Sequence, residues 1–298
     1  MTSAGLLSVS AGLNDGRLEN ISVDLQRPLV TQLFFGQIPD AVVKTIPYLY
    51  TLCAHAQRAV AQAALAAAAD ELRRPVDAGE LWIEMLHENF WRLLLDWPTA
   101  LGLPQAREAF VAWRGERQGE NCLAETQKLL LVVRELAEKC LEIMVDRSTH
   151  GEPEAPSLVP EAWLGYWQGK VDHPPVMLRP ASVAAAYRAR LAEVERAVVA
   201  LETRTAYPID AAGEDGWGVA QTLTARGVLT HAVHVVNEKV LNYRVWAPTD
   251  VFFADAGALA GLLAGCRFAS REEARLALDQ AILALDPCVP YEVELHHA

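Results

Sequence analysis

The alanine-rich run Arg58-Ala-Val-Ala-Gln-Ala-Ala-Leu-Ala-Ala-Ala-Ala, led by Leu49–Gln57 (Leu-Tyr-Thr-Leu-Cys-Ala-His-Ala-Gln), constrains the fold more than any other stretch. Nearly every residue in it is a good helix former, and Pro47 stands just ahead. Side chains this small let other helices and sheets come close, so the run predicts a buried, central helix. Its single thiol, Cys53, falls at the head of that helix, where the partial positive charge of a helix N-terminus favours thiolate. Cys53 also reads as a small core hydrophobe. The run is not a membrane span: alanine is only weakly apolar, and Asp70-Glu71 closes it. No other apolar run reaches the roughly 18–20 residues that a bilayer requires.

With 298 residues, 52% of them hydrophobic, the chain can bury a large core. The 38 acidic residues outnumber the 26 basic ones, and no Lys/Arg cluster offsets them, which sets nucleic-acid binding aside. The opening Met-Thr-Ser-Ala-Gly lacks the basic region and hydrophobic stretch of an export signal. Five widely spaced cysteines then point to a reducing cytoplasm rather than to a disulfide framework.

In order, the chain opens with a β-hairpin, Leu6–Leu13 and Leu18–Leu25, about Asn14-Asp15-Gly16, whose residue types supply positive φ. Helical periodicity covers Ala78 to Leu95, where Glu80, Glu84, His87 and Glu88 resemble a metal cluster but read better as the wet face of a helix. Pro98–Pro104 breaks that run, and a shorter helix follows at Gln105–Arg114. The clearest amphipathic helix spans about Leu123–Val145, with Leu129, Val133, Leu136, Cys140 and Met144 on one stripe. Asp146–Pro180 holds six prolines and two tryptophans and reads as a long wrapping loop. Ser182 caps a helix ending near Thr203, and Asp210–Gly218 reads as a turn. Val228–Val236 and Val240–Trp246 read as paired strands about Asn237-Glu238-Lys239. His231 and His234 fall at odd spacing in one strand and therefore point to opposite faces. A helix near Asp255–Gly265 follows, and Ser270 with Glu273 has capping-box spacing for a last helix to about Leu285.

Three motifs in order carry a resemblance. They are Tyr50-x-x-Cys53 at the head of the central helix; Arg226-Gly227-Val228-Leu229-Thr230-His231 with Ala247-Pro248-Thr249; and Asp286-Pro287-Cys288-x-x-Tyr291-x-x-Glu294. Together they resemble the large subunit of nickel–iron hydrogenases in reduced form. That family has Cys-x-x-Cys before a central helix, Arg-Gly-x-Leu-x-His and Ala/Val-Pro-Ser/Thr on a strand pair, and a C-terminal Asp-Pro-Cys-x-x-Cys-x-x-His. The resemblance covers the first 75 and last 80 residues, roughly. It implies a mainly helical α+β fold, one large-subunit-like domain over 1–298, with a small antiparallel sheet built from the N-terminal hairpin and the 228–246 strands.

The departures bear on function. Of the four thiolates that hold nickel and iron in the family, only Cys53 and Cys288 remain, with Tyr50 and Tyr291 at the other two positions. A phenol is a poor replacement for a thiolate at nickel. Gln57 and Glu294 replace the family's histidines, Arg-x-Glu-Gly-His is missing, and no tail follows the final motif for a maturation protease to remove. What survives is the shell that in the family surrounds iron and its cyanides: Arg226, and Thr249 beside Pro248. Both are expected at a pocket wall, where substitution leaves folding intact.

The chain thus looks like the truncated accessory maturation proteins of the HupK/HoxV type. The resemblance implies a non-enzymatic scaffold or chaperone, with Cys53 and Cys288 close together and transiently holding an Fe(CN)2(CO) unit. Its implied partners are other hydrogenase maturation proteins and the hydrogenase large-subunit precursor, met in the cytoplasm. Two rival readings stay open, a metal-dependent, hydrogenase-like oxidoreductase and a metal-free structural interaction protein.

Overall fold

A computed structural model describes residues 5–144 and 156–297. The N-terminal hairpin forms as its turn chemistry requires: β1 (Leu6–Asn14) pairs antiparallel with β2 (Arg17–Gln26), and Asp15 and Gly16 both take positive φ. Leu7, Val9 and Ala11 alternate inward. The far end of the chain completes this sheet, since β7 (Tyr291–His297) lies parallel to β1, with Leu7 opposite Tyr291 and Val9 opposite Val293. The second sheet is separate and antiparallel, ordered β3 (Ile209–Glu214), β4 (Trp217–Thr224), β5 (Gly227–Val236) and β6 (Lys239–Trp246).

The expected single sheet of N-terminal hairpin and 228–246 strands is therefore corrected to two sheets, although the α+β class holds. Asp210–Gly218, read as a turn, is instead most of a strand pair whose tight turn is Asp215-Gly216. The glycines that suggested a turn serve packing. Gly213 and Gly218 face each other across β3 and β4. A Cβ on Gly213 would lie 2.0 Å from the Ala67 carbonyl oxygen, and one on Gly218 2.1 Å from that of Ala64.

Both carbonyls belong to α2 (Ala54–Ala68), so the alanine helix lies directly on the sheet, buried along most of its length. Packed around it are α1 (Pro39–Leu49) and α3 (Ala78–Trp91). The α3 axis continues through a π-helical turn at Arg92–Asp96 into α4 (Trp97–Ala100). The break expected at Pro98 thus falls later, at Gly102, which has positive φ. Pro98 lies in the first turn of α4, where its missing N–H costs little.

Next come α5 (Arg107–Glu116) and α6 (Cys122–Ile143), the latter burying Leu129, Val133, Leu136 and Cys140 as its stripe predicts. The start of the expected Pro-rich loop, residues 146–155, lies outside the described residues, as does the last residue of the expected helix before it. The rest is not all loop: Pro160 begins α7 (Pro160–Trp167), whose Trp163 and Trp167 pack on Trp246. Proline at a first helical position opens a helix rather than breaking one.

Ser182 accepts from the Ala185 amide at the start of α8 (Val183–Thr203). Beyond the second sheet lie α9 (Pro248–Phe252), α10 (Gly257–Leu263) and α11 (Arg271–Leu285), with Ser270 capping α11 through the Glu273 amide. The smaller of the two main cores lies between the hairpin sheet and α10 and α11; the larger surrounds α2. Cys53 packs against the larger, and Cys288 precedes Val289 of the smaller. Among the described residues no helix is long and apolar enough to cross a membrane.

Candidate metal-binding site

Cys53 takes the N-cap position of α2 but does not cap it. Glu84, reaching across from α3, accepts from the His55 amide at 2.8 Å and the Ala56 amide at 2.9 Å. The donors at this helix terminus are taken up by a carboxylate from another helix. Burial and then the Glu84 charge push the Cys53 thiol up to about 12. The expected thiolate preference is overturned, because burial disfavours the thiolate and the capping carboxylate opposes the partial positive charge of the helix end.

Cys288 lies in a different environment. It follows Asp286, which ends α11 in a left-handed conformation, and Pro287. The Cys288 amide donates to Thr249 Oγ1 at 3.1 Å, and the Thr249 hydroxyl donates to Cys288 Sγ at 3.3 Å. A second donor is Arg27, whose Nη2 lies 2.6 Å from Cys288 Sγ and whose Nε lies 3.2 Å from Asp250 Oδ1. Sequence reasoning missed Arg27. It is a lone cation after a strand end, and its partner is 261 positions away.

Arg226 occupies the tight β4–β5 turn, where Gly227 takes φ of 124° and Pro248 packs against it. Its guanidinium donates to Glu88 Oε2 at 2.9 Å and approaches Asp286 Oδ1 at 3.5 Å; the side chain is 5% exposed. Asp286 also accepts from Arg92 Nε at 2.7 Å and Arg190 Nη2 at 2.8 Å. Burial by itself would raise the Asp286 carboxyl, but Arg226, Arg190 and Arg92 hold it down to about 2. Glu84 and Glu88 are thus not on a wet face as their spacing suggested. Each turns inward to a partner.

Both thiols are free, and Arg226 links their surroundings: it lines a cavity with Cys53 and approaches Asp286, two positions before Cys288. Tyr291 does not join them. It is 40% exposed on β7, and the charges acting on it are those of Asp279, Arg275, Arg92 and Asp96. Cys53, Glu84, Glu88, Tyr207 and Arg226 line a small cavity of about 10 Å³, room for one water. Among the described residues no group of three or more His, Cys, Asp or Glu side chains is placed to hold a metal ion. A cation held here by protein thiolates alone would have two of them, so its remaining ligands would come with it.

No model of a known protein family matches the chain. It is 30% identical, over 99% of its own length and all of the relative's, to the hydrogenase expression/formation protein HupK of Azotobacter vinelandii. The chain belongs to the HupK family of hydrogenase expression/formation proteins. A HupV protein of Azotobacter chroococcum matches equally, at 30% over the same shares of the two chains. The HoxV protein of Cupriavidus necator is 36% identical over 26% of this chain.

Among solved structures, the reduced Ni-Fe-Se hydrogenase of Desulfovibrio vulgaris Hildenborough superposes with a TM-score of 0.60 at 13% identity, covering 92% of this chain and 94% of that one. An archaeal membrane-bound sulfane sulfur reductase gives 0.53 at 11% identity, covering 92% and 91%. The HupK-family chain therefore has the fold of hydrogenase large subunits.

Proposed function

We propose that this protein is a non-enzymatic scaffold or chaperone of nickel–iron hydrogenase maturation, holding or passing on an Fe(CN)2(CO) unit through Cys53 and Cys288. The observation that supports this reading is a run of contacts linking the surroundings of the two free, half-buried thiols: Cys53 and Arg226 line one cavity, Arg226 approaches Asp286 beside Pro287-Cys288, and Thr249 is hydrogen-bonded to Cys288. Two thiolates complete a low-spin iron that already carries three strong-field diatomic ligands, whereas nickel lacks the sulfur-rich environment it prefers. Arg226 and Thr249 supply hydrogen-bond donors for the cyanides. Arg27 and Thr249 now face the Cys288 sulfur, so loading shifts them toward the cargo. The cavity beside Cys53 is far smaller than such a unit, so loading widens it.

The partners in this reading are other hydrogenase maturation proteins and the hydrogenase large-subunit precursor, met in the cytoplasm. An interaction protein without metal is the second reading, favoured by the high Cys53 pKa and by the carboxylates that already pair Arg226. Metal analysis with infrared spectroscopy decides, on protein purified from cells that make the maturation machinery. The scaffold carries iron with cyanide and carbonyl bands, no nickel, and no hydrogen uptake. Stoichiometric nickel with turnover would establish the oxidoreductase, and complete absence of iron the metal-free protein.

A further inference from the structure

Behind Cys53 lies a chain of buried polar groups that the proposed function does not use. Tyr243 Oη lies 2.7 Å from His231 Nδ1, His231 Nε2 lies 2.7 Å from Gln57 Oε1, and Gln57 Nε2 lies 3.6 Å from Cys53 Sγ. Gln57, His231 and Tyr243 are all buried, and burial holds the His231 imidazolium down to about 3. The ring is therefore neutral, with one nitrogen carrying hydrogen and the other accepting.

That fact gives the chain a direction. With hydrogen on Nε2, the ring donates to the Gln57 carbonyl, the Gln57 NH2 faces sulfur, and the Tyr243 hydroxyl donates to Nδ1. With hydrogen on Nδ1 every bond reverses, and the Gln57 carbonyl faces sulfur. The structure places Gln57 Oε1 toward His231 and Gln57 Nε2 toward Cys53, the amide orientation of the first arrangement.

We propose that Gln57 is a positioning residue for Cys53, locked by the Nε2–H tautomer of His231 with its NH2 group on Sγ, so that the sulfur is offered a donor and not an acceptor. The inference rests on Cys53 being a ligand. A donor stabilises electron density on an anionic or metal-bound sulfur, while a carbonyl would stabilise S–H. The relay thus favours the form of Cys53 that binds a cation, against the burial and the Glu84 charge that keep the free thiol protonated, and it does so without a charged group. Tyr243 is the anchor, and its ring packs edge-on against both Phe34 and His231.

The test begins with the full-length protein free of metal, labelled with nitrogen-15 at histidine, its His231 signal assigned by loss in His231→Gln. The wild type is expected to show the Nε2–H tautomer. In Gln57→Met the Nε2 signal is expected to shift, because Nε2–H loses its acceptor while Tyr243 still donates to Nδ1. An Nδ1–H tautomer in the wild type, or no change in Gln57→Met, would overturn the proposal. If Gln57→Met does not fold, the wild-type tautomer alone decides.

The second measurement is the sulfur-to-metal charge-transfer band of the Co(II)-loaded protein, with Cys53→Ser as control. Loss of the Gln57 donor is expected to move the Cys53 band to longer wavelength in Gln57→Met. Absence of a Cys53 band in the wild type, or a band that does not move, would overturn the positioning role. Neither measurement involves iron, so failure of the relay is distinguishable from failure of the iron reading in the infrared test.

Discussion

Thr249 and Cys288 hold each other by two hydrogen bonds, the Cys288 amide donating to Thr249 Oγ1 and the Thr249 hydroxyl donating to Cys288 Sγ. One buried hydroxyl thereby fixes both the backbone and the side chain of the cysteine. Thr249→Val leaves the Cys288 amide without its acceptor, which costs about 1–3 kcal/mol. The expected outcome is a lower unfolding midpoint together with weaker cyanide and carbonyl bands. Thr249→Ser should preserve both, and bands of unchanged intensity in the valine variant would remove Thr249 from the site.

Arg226 differs from the wall residue expected from its motif. It pairs Glu88 and approaches Asp286, which keeps Arg92 and Arg190, so Arg226→Leu deprives mainly Glu88 of its cation and should cost at most about 3–5 kcal/mol. The expectation that its removal spares folding is corrected on that ground. Arg226→Lys keeps the charge but loses the guanidinium geometry, and is the variant in which to follow cyanide frequencies. It should unfold much later than the leucine variant in urea.

Asp286 makes a pH prediction. Its carboxyl is held at about 2 against an ordinary 3.8, so the folded state favours the anion and the stabilisation is complete above pH 3.8. It is lost as pH falls from 3.8 to about 2, amounting to about 2 kcal/mol. Urea titrations across that window should show this loss in the wild type. Asp286→Asn should already be destabilised at pH 7, with a flatter profile below pH 3.8.

Glu84 links the cap of α2 to the chemistry of Cys53. In Glu84→Gln the side-chain oxygen can accept from only one of the two amides, a loss of about 1 kcal/mol. The negative charge beside the thiol disappears, so the Cys53 pKa should fall from about 12. Iodoacetamide should then label Cys53 faster at a fixed alkaline pH. An unchanged labelling rate in a folded variant would show that burial, and not Glu84, sets the thiol.

Gly218→Ala places a methyl group 2.1 Å from the Ala64 carbonyl oxygen and 2.7 Å from the Ala68 nitrogen. Both are helix backbone, so α2 must lift off the sheet, at a cost of at least about 1–3 kcal/mol. Gly261→Ala is the control, since its added carbon meets nothing within 4 Å and α10 gains a better helix former. Thermal unfolding should fall clearly in the first variant and hold or rise in the second.

Much of the architecture is legible in the sequence because its causes are local. The alanine run makes a small-faced helix wherever it is placed, Asp15-Gly16 closes a hairpin, Ser182 and Ser270 start helices, and odd spacing sends His231 and His234 to opposite faces. The three motifs likewise carry the family relationship. Tertiary structure decided the rest, through partners far apart in the chain. That β7 joins β1, that Arg27 reaches Cys288, and that Glu84 and Glu88 turn inward depends on pairings with no local periodicity or turn chemistry behind them. The ionisation of Cys53 shows the same division: a helix N-terminus read alone favours thiolate, and burial, with a carboxylate brought in from another helix, reverses the balance.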